Sequence, residues 1–294
     1  MTTFLQYLLI GSTIGSIYSI VAVGIVLIYK SSGVFNFAQG ELLLLGAYIC
    51  WTFMVPLQLP IWLAFLITFL CAAIIGLMVE RFCLRPMLGQ PILSMIMVTL
   101  ALTVFIRGGV LLGWGGYFEA YPAMFPIEPI SFGDIVLSHE YLWAFVAAMF
   151  IIIVLILFTK FTKAGLRMRG AAEDQQAARS MGINVKTVFA ISWAIAGVVG
   201  VVGGFFLGNI TGISLHLSAL GMKALPVVLL GGLESIPGAV IAGLIIGILE
   251  AMAAGYIDPL VGGGFAGTLP FIVLIIVLII RPHGLFGLER IERV

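Results

Sequence analysis

Four charged side chains interrupt otherwise apolar stretches of this 294-residue chain: Glu41, Arg107, Lys223 and Glu250. A charge surrounded by hydrocarbon costs about 2.5 to 3.5 kcal/mol on insertion scales, and is kept where it faces a protein interior or an aqueous path. Arg107 and Glu250 each fall a turn or so from the outer end of an apolar run, where snorkelling to the interface accounts for them. Glu41 falls at the start of its run, where an acidic group favours a helix N-terminus. Lys223 stands mid-run with no such explanation. Asn36 and Gln39 precede Glu41 in the stretch Asn-Phe-Ala-Gln-Gly-Glu. Together Asn36, Gln39, Glu41 and Lys223 are the candidates for lining a path through the membrane. Their chemistry is recognition of small polar groups, not bond-breaking.

Other chemistries find little support. His139, His216 and His283 sit at the ends of apolar runs, and Cys50, Cys71 and Cys83 have neither metal-ligand spacing nor an evident pairing. These cysteines read as small core residues. No ladder of intramembrane carboxylates suggests a proton or sodium relay. Phosphate-cradling Gly-x-x-x-x-Gly-Lys-Ser/Thr is also missing, since Lys186-Thr187 follows Val185. A chain of this kind takes its energy from a partner or from a gradient.

The elements that must hold these residues follow from composition. Hydrophobic residues make up 62%, and 14 basic plus 13 acidic residues give a net charge of +1. A globular domain carries about 25% charged residues, so the bilayer is the solvent. The small net charge offers nothing to nucleic acid. Residues 1–29, 42–79, 86–106, 141–159, 187–222 and 259–280 contain no Asp, Glu, Lys or Arg. These runs match one or nearly two crossings at about 20 residues each, and their continuity predicts helices rather than the alternating strands of a barrel. The first run lacks a basic n-region and a small-residue cleavage site, which predicts a membrane helix rather than a signal peptide.

Hydropathy places spans near 5–29, 36–53, 61–80, 91–112, 141–158, 188–208, 217–231, 237–254 and 268–280. The expected fold is all-α and polytopic, with eight or nine helices including short or broken ones at 36–53 and 217–231. Six basic residues (Lys160, Lys163, Arg167, Arg169, Arg179, Lys186) mark 159–187 as cytoplasmic, whereas 113–140 carries Glu119, Glu128, Asp134 and Glu140 without a Lys or Arg. Alternation then puts the N-terminus outside and places Lys30, Arg81, Arg85, Arg281, Arg290 and Arg293 inside. The chain divides, as a single membrane domain over 1–294, into a helical half 1–112, an outer loop 113–140, a cytoplasmic loop 159–187 and a second half 188–294. Similarity between residues 73–80 and 243–250 suggests an inverted repeat of spans 1 to 4 and 6 to 9. Glycine is abundant, 36 of 294 against an average near 7%, which suits closely approaching helices.

Residues 171–181 favour helix, with Glu173 and Asp174 expected in its first turn, Arg179 in its last and Gly182 at the C-cap. Such a short capped helix between two spans suits docking.

At these residues the sequence resembles the LivH-type permease subunits of branched-chain amino acid ABC importers. Gly33-Val-Phe-Asn-Phe-Ala-Gln-Gly-Glu41, the loop 165–182, Leu230-Gly-Gly-Leu-Glu-Ser-Ile-Pro-Gly-Ala239 and Arg281-Pro-His-Gly-Leu-Phe-Gly287 are similar to family motifs in the same order. Gln39 departs from the His that many members carry, leaving substrate identity open. The resemblance implies transport of branched-chain or hydrophobic amino acids across the inner membrane, with urea, short amides or aromatic acids as alternatives. It also implies partners: cytoplasmic ATPase subunits that bind the ATP, a second homologous permease forming a heterodimer, and a periplasmic binding protein. This chain would hold no cofactor of its own. Ala171, Glu173, Asp174, Ala178, Arg179 and Gly182 would form the ATPase-coupling helix. A gradient-driven carrier is the rival from a different class.

Overall fold

The computed structural model describes residues 2–87, 89–126, 128–132 and 135–287; Asp134, Arg290 and Arg293 lie outside the described residues. In chain order the helices are α1 Thr2–Ser32, α2 Gln39–Met54, α3 Ile61–Met78, α4 Ile92–Trp114, α5 His139–Phe161, α6 Lys163–Glu173, α7 Gln175–Ser180, α8 Val185–Thr211, α9 His216–Met222, α10 Ala224–Gly231, α11 Ile236–Tyr256, α12 Asp258–Val261 and α13 Phe265–Ile280. A two-stranded antiparallel hairpin, β1 Ile130–Phe132 and β2 Ile135–Leu137, lies between α4 and α5. The chain is an all-α polytopic membrane protein. Among the described residues, six helices are long and apolar enough to cross a bilayer: α1, α3 with its extension to Met87, α4, α5, α8 and α11. The other three expected spans are α2, the pair α9–α10, and α13.

Local chemistry sets the boundaries. Pro60 and Pro91 occupy the N-caps of α3 and α4 in an extended conformation, which the pyrrolidine ring favours and which needs no N–H. Ser235 caps α11 by accepting from the Gly238 N–H at 3.0 Å. Beyond α3 the helix widens into π-turns over Val79–Leu84, where Arg85 pairs through two nitrogens with buried Glu80 at 3.0 and 2.9 Å.

α1 and α8 form the centre. Within their most apolar stretches 78% and 72% of residues are buried, against 22 to 28% for α3, α4 and α5, so the latter face lipid or another chain. Glycine allows the central crossings. A Cβ on Gly15 of α1 would lie 2.6 Å from the Gly243 carbonyl of α11, and one on Gly247 would collide with the Gly15 backbone. α8 repeats the device, with Gly197 against the Ala72 carbonyl of α3 at 2.5 Å. Close backbone approach of this kind replaces the hydrophobic drive that lipid removes.

Helix packing shows a paired pattern. α1 packs on α11 as α8 does on α3, α2 packs on α8 as α10 does on α1, and α2 meets α4 as α10 meets α13. Exchanging spans 1 to 4 with 6 to 9 converts each pair into its counterpart. The register differs by one residue from the sequence match: Ala72 and Gly76 occupy the places of Gly243 and Gly247, because they receive α8 as those glycines receive α1. Glu80 and Glu250 are therefore not equivalent.

The acidic loop is less separate than its composition suggests. Trp114 Nε1 donates to Thr52 Oγ1 at 2.7 Å, Tyr48 Oη to the Tyr117 carbonyl at 2.8 Å and Tyr121 Oη to the Ala47 carbonyl at 2.9 Å. Glu119 and Ile213 exchange backbone hydrogen bonds of 2.8 Å each. These contacts fold the start of the loop over the ends of α2 and α8.

Candidate functional site

The approach to α2 positions the first polar residues. After Gly33, at φ +72, the chain leaves the helix and re-enters it at Gln39. Asn36 Oδ1 accepts from the Ala38 N–H at 3.0 Å, and its amide donates to Gln39 Oε1 at 3.1 Å. Gln39 Nε2 in turn donates to the Ala196 carbonyl of α8 at 3.0 Å. Both residues are buried. This chain of bonds ties the turn to the central helix, so the polar atoms of Asn36 and Gln39 are engaged by the protein.

The intramembrane charges form two pairs, and here the structure corrects the snorkelling reading of Arg107 and Glu250. Glu41 Oε1 lies 3.2 Å from Arg107 Nε of α4, and Arg107 Nη2 donates to Ser218 Oγ of α9 at 2.6 Å. Glu41 is thus directed at a cation and not merely at its own helix terminus. The Lys223 ammonium, at the break between α9 and α10, pairs with Glu250 of α11. Opposite charges pull both basic heads inward, where Coulomb attraction is much stronger than in water. The second oxygens of Glu41 and Glu250 are buried and have no partner among the described residues. Between the pairs α2 and α9 touch backbone to backbone: a Cβ on Gly221 would sit 2.9 Å from Gly40 Cα. Glu41 and Lys223, each one or two residues from this crossing, flank it. The sequence showed two acids and two bases inside spans but could not say which faced which.

At the opposite end lies the expected coupling segment, and its helix is not continuous. α6 ends at Glu173, and Asp174 is extended (φ −151, ψ 111), capping α7 by accepting from the N–H groups of Gln176 and Ala177 at 2.7 and 3.0 Å. An Asp side chain competes with the backbone for these donors, which divides a segment that propensity alone reads as one helix. Glu173 therefore closes α6 instead of opening α7. Arg179 does lie in the last turn of α7, and Gly182 follows at φ +79. Ala171 and Ala178 are buried and anchor the two helices, while Glu173, Asp174 and Arg179 are exposed and Met181 projects with 83% of its surface free. Met181 was not singled out from sequence, since only its exposure distinguishes it.

Two motifs that are separate in sequence meet here. The Leu285 N–H donates to the Leu230 carbonyl at 2.7 Å, and a Cβ on Gly232 would lie 2.6 Å from Gly287 N. The turn between α10 and α11 thus packs directly on the segment after α13.

Comparison with known proteins identifies the family. The family model described as branched-chain amino acid transport system / permease component matches residues 7–279. The high-affinity branched-chain amino acid transport system permease protein LivH of Salmonella typhimurium is 30% identical over 99% of this chain and 98% of its own length. BraD, the corresponding permease protein of Pseudomonas aeruginosa, is also 30% identical over 99% and 98%. A probable LivH of Methanocaldococcus jannaschii is 28% identical over 92% of this chain and 88% of its own. A solved chain of PsaBC from Streptococcus pneumoniae in complex with Fab overlays with a TM-score of 0.49 at 13% identity, covering 94% of this chain and 91% of that one, too distant to inform function. With a family match over nearly the whole length, on a polytopic helical frame, the chain belongs to the permease component family of branched-chain amino acid transport systems.

Proposed function

We propose that this permease is the membrane subunit of an ATP-driven importer for hydrophobic amino acids. It works with cytoplasmic ATPase subunits, a second homologous permease and an external binding protein, in the inner membrane with α6–α7 inside and the N-terminus outside. The observation that carries this reading is the segment α6–α7: two capped helices anchored by Ala171 and Ala178, with Glu173, Arg179 and the Met181 side chain exposed. Such a rigid polar face with an apolar knob suits a groove on another protein, because burying Met181 would remove apolar area from water at about 25 cal/mol per Å². Basic residues of the same loop favour the cytoplasmic side. The relatives' printed role in branched-chain amino acid transport supports the substrate class.

In this mechanism the ATPase pair binds nucleotide and closes, pulling on α6–α7. Differential affinity of the closed pair for one permease conformation shifts the population toward it. α8 follows α7 directly, and through its glycine contacts it touches α2 and α3. Motion at the coupling segment thereby reaches the crossing at Gly40 and Gly221. The test is Glu173→Lys combined with Met181→Asp, both on the exposed face. ATP-driven uptake in proteoliposomes should fall at least tenfold while the permease is still recovered folded. Wild-type uptake in that variant refutes the coupling assignment.

A further inference from the structure

Arg107 is not explained by packing alone. It lies seven residues before the end of α4, roughly 10 Å at 1.5 Å per residue, yet its side chain turns toward Glu41 and Ser218 instead of the membrane surface. Its side chain nevertheless stays 46% exposed, while that of Glu41 is 5% exposed. A guanidinium carries five N–H donors, and those not directed at Glu41 or Ser218 have no partner among the described residues. Lipid tails cannot satisfy them. The adjoining surface of α4 is also bare: a Cβ on Gly108, Gly109 or Gly113 would meet nothing within 4 Å. The pair therefore has unused capacity on both members, donors on Arg107 and the buried second oxygen of Glu41.

We infer that Arg107 is a specificity-determining residue of the translocation path, receiving the carboxylate of the substrate on the open edge of its guanidinium while Glu41 and Ser218 hold the other edge. This deepens the importer reading and rests on it. A planar fork matches a carboxylate with two parallel hydrogen bonds, which neither urea nor a simple amide offers as an anion. The chain would thereby select acids over the neutral small molecules that the sequence left open. Glu41 acts as a positioning residue, fixing the fork against α2.

The experiment uses the full complex of permeases, ATPase and binding protein in proteoliposomes, with radiolabelled L-leucine as the probe. The maximal uptake rate is measured at saturating loaded binding protein, so that the affinity of that protein does not mask the membrane step. Arg107→Gln alone would leave a buried Glu41 without its counter-ion, so the decisive variant is Glu41→Gln with Arg107→Gln, a neutral hydrogen-bonded pair. We expect this double variant to assemble and its maximal rate to stay at least tenfold below wild type. Recovery of the wild-type rate would show that Arg107 is only a counter-ion and overturn the inference. Should the double variant fail to assemble, Arg107→Lys keeps the charge and loses the fork; a severalfold lower rate supports the inference and an unchanged rate overturns it. Absence of ATP-dependent uptake by the wild-type complex would instead overturn the importer reading beneath it.

Discussion

Lys223 and Glu250, with side chains 12% and 14% exposed, form the more deeply enclosed of the two intramembrane pairs. Removing one partner of a buried pair strands the other and typically costs 3 to 5 kcal/mol, about what Lys223→Met is expected to cost here. Lys223→Met with Glu250→Leu removes both charges, and should recover most of that loss. Thermal melting of the detergent-solubilised variants as a double-mutant cycle measures the coupling. Additive losses would mean that the pair does not interact in the folded protein. A second residue-scale expectation concerns Gln39, whose amide holds the Ala196 carbonyl. Gln39→Leu removes that added bond to the Ala196 carbonyl and leaves the buried Asn36 amide N–H groups without Gln39 as acceptor, at about 1 to 3 kcal/mol, visible as a lowered melting temperature. Each charge was legible in the sequence as costly, but position along the span accounts for Arg107 and Glu250 by snorkelling and for Glu41 by helix capping, and leaves only Lys223 unexplained. The partners were not legible, because Lys223 and Glu250 are 27 residues apart and Arg107 and Ser218 are 111 apart. Hydropathy gives depth along a helix but not the direction a side chain faces.

Helices are where sequence and structure agree most, and the disagreement at Asp174 is instructive. The break at Asp174 depends on one side chain out-competing a backbone bond. Asp174→Ala should cost about 1 kcal/mol of local stability by losing the cap and reduce ATP-driven uptake, whereas Asp174→Asn keeps a capping oxygen and should transport like wild type. If uptake instead tracks the charge, falling in both variants, the residue acts on the partner and not on α7. Glycines at three- or four-residue spacing within spans, among them Gly11, Gly15, Gly197, Gly243 and Gly247, were legible as sites of close helix approach, but the backbone that each one meets was not, since most of the decisive contacts join distant helices. Gly247→Val drives a side chain into the Gly15 backbone and should abolish recovery of folded protein. Gly113→Ala meets open space and should be neutral or stabilise by about 0.5 to 1 kcal/mol. Equal melting temperatures for these two variants would refute the α1–α11 crossing.

Across the whole molecule, nine apolar segments anticipated from 27 charges correspond to α1, α2, α3, α4, α5, α8, α9–α10, α11 and α13. Lipid makes this possible, because every backbone group in hydrocarbon must be paired within its own helix and so each span announces itself. The paired packing of spans 1 to 4 and 6 to 9 was only faintly legible, since apolar helices resemble one another whatever their position, and its register emerged from which backbone atoms each glycine meets. The polar candidates separated in the structure into two kinds: Asn36 and Gln39, bonded to each other and through Gln39 to α8, and Glu41 and Lys223, flanking the α2–α9 crossing between ion pairs. In the function proposed above, a chain whose sequence lacks Gly-x-x-x-x-Gly-Lys-Ser/Thr moves its substrate on energy supplied by partner subunits. Uptake of L-leucine into proteoliposomes tests it most directly, comparing the full complex with this chain alone, each with and without ATP. The account predicts uptake only by the full complex and only with ATP; uptake by the isolated chain down an ion gradient, indifferent to ATP, would contradict it.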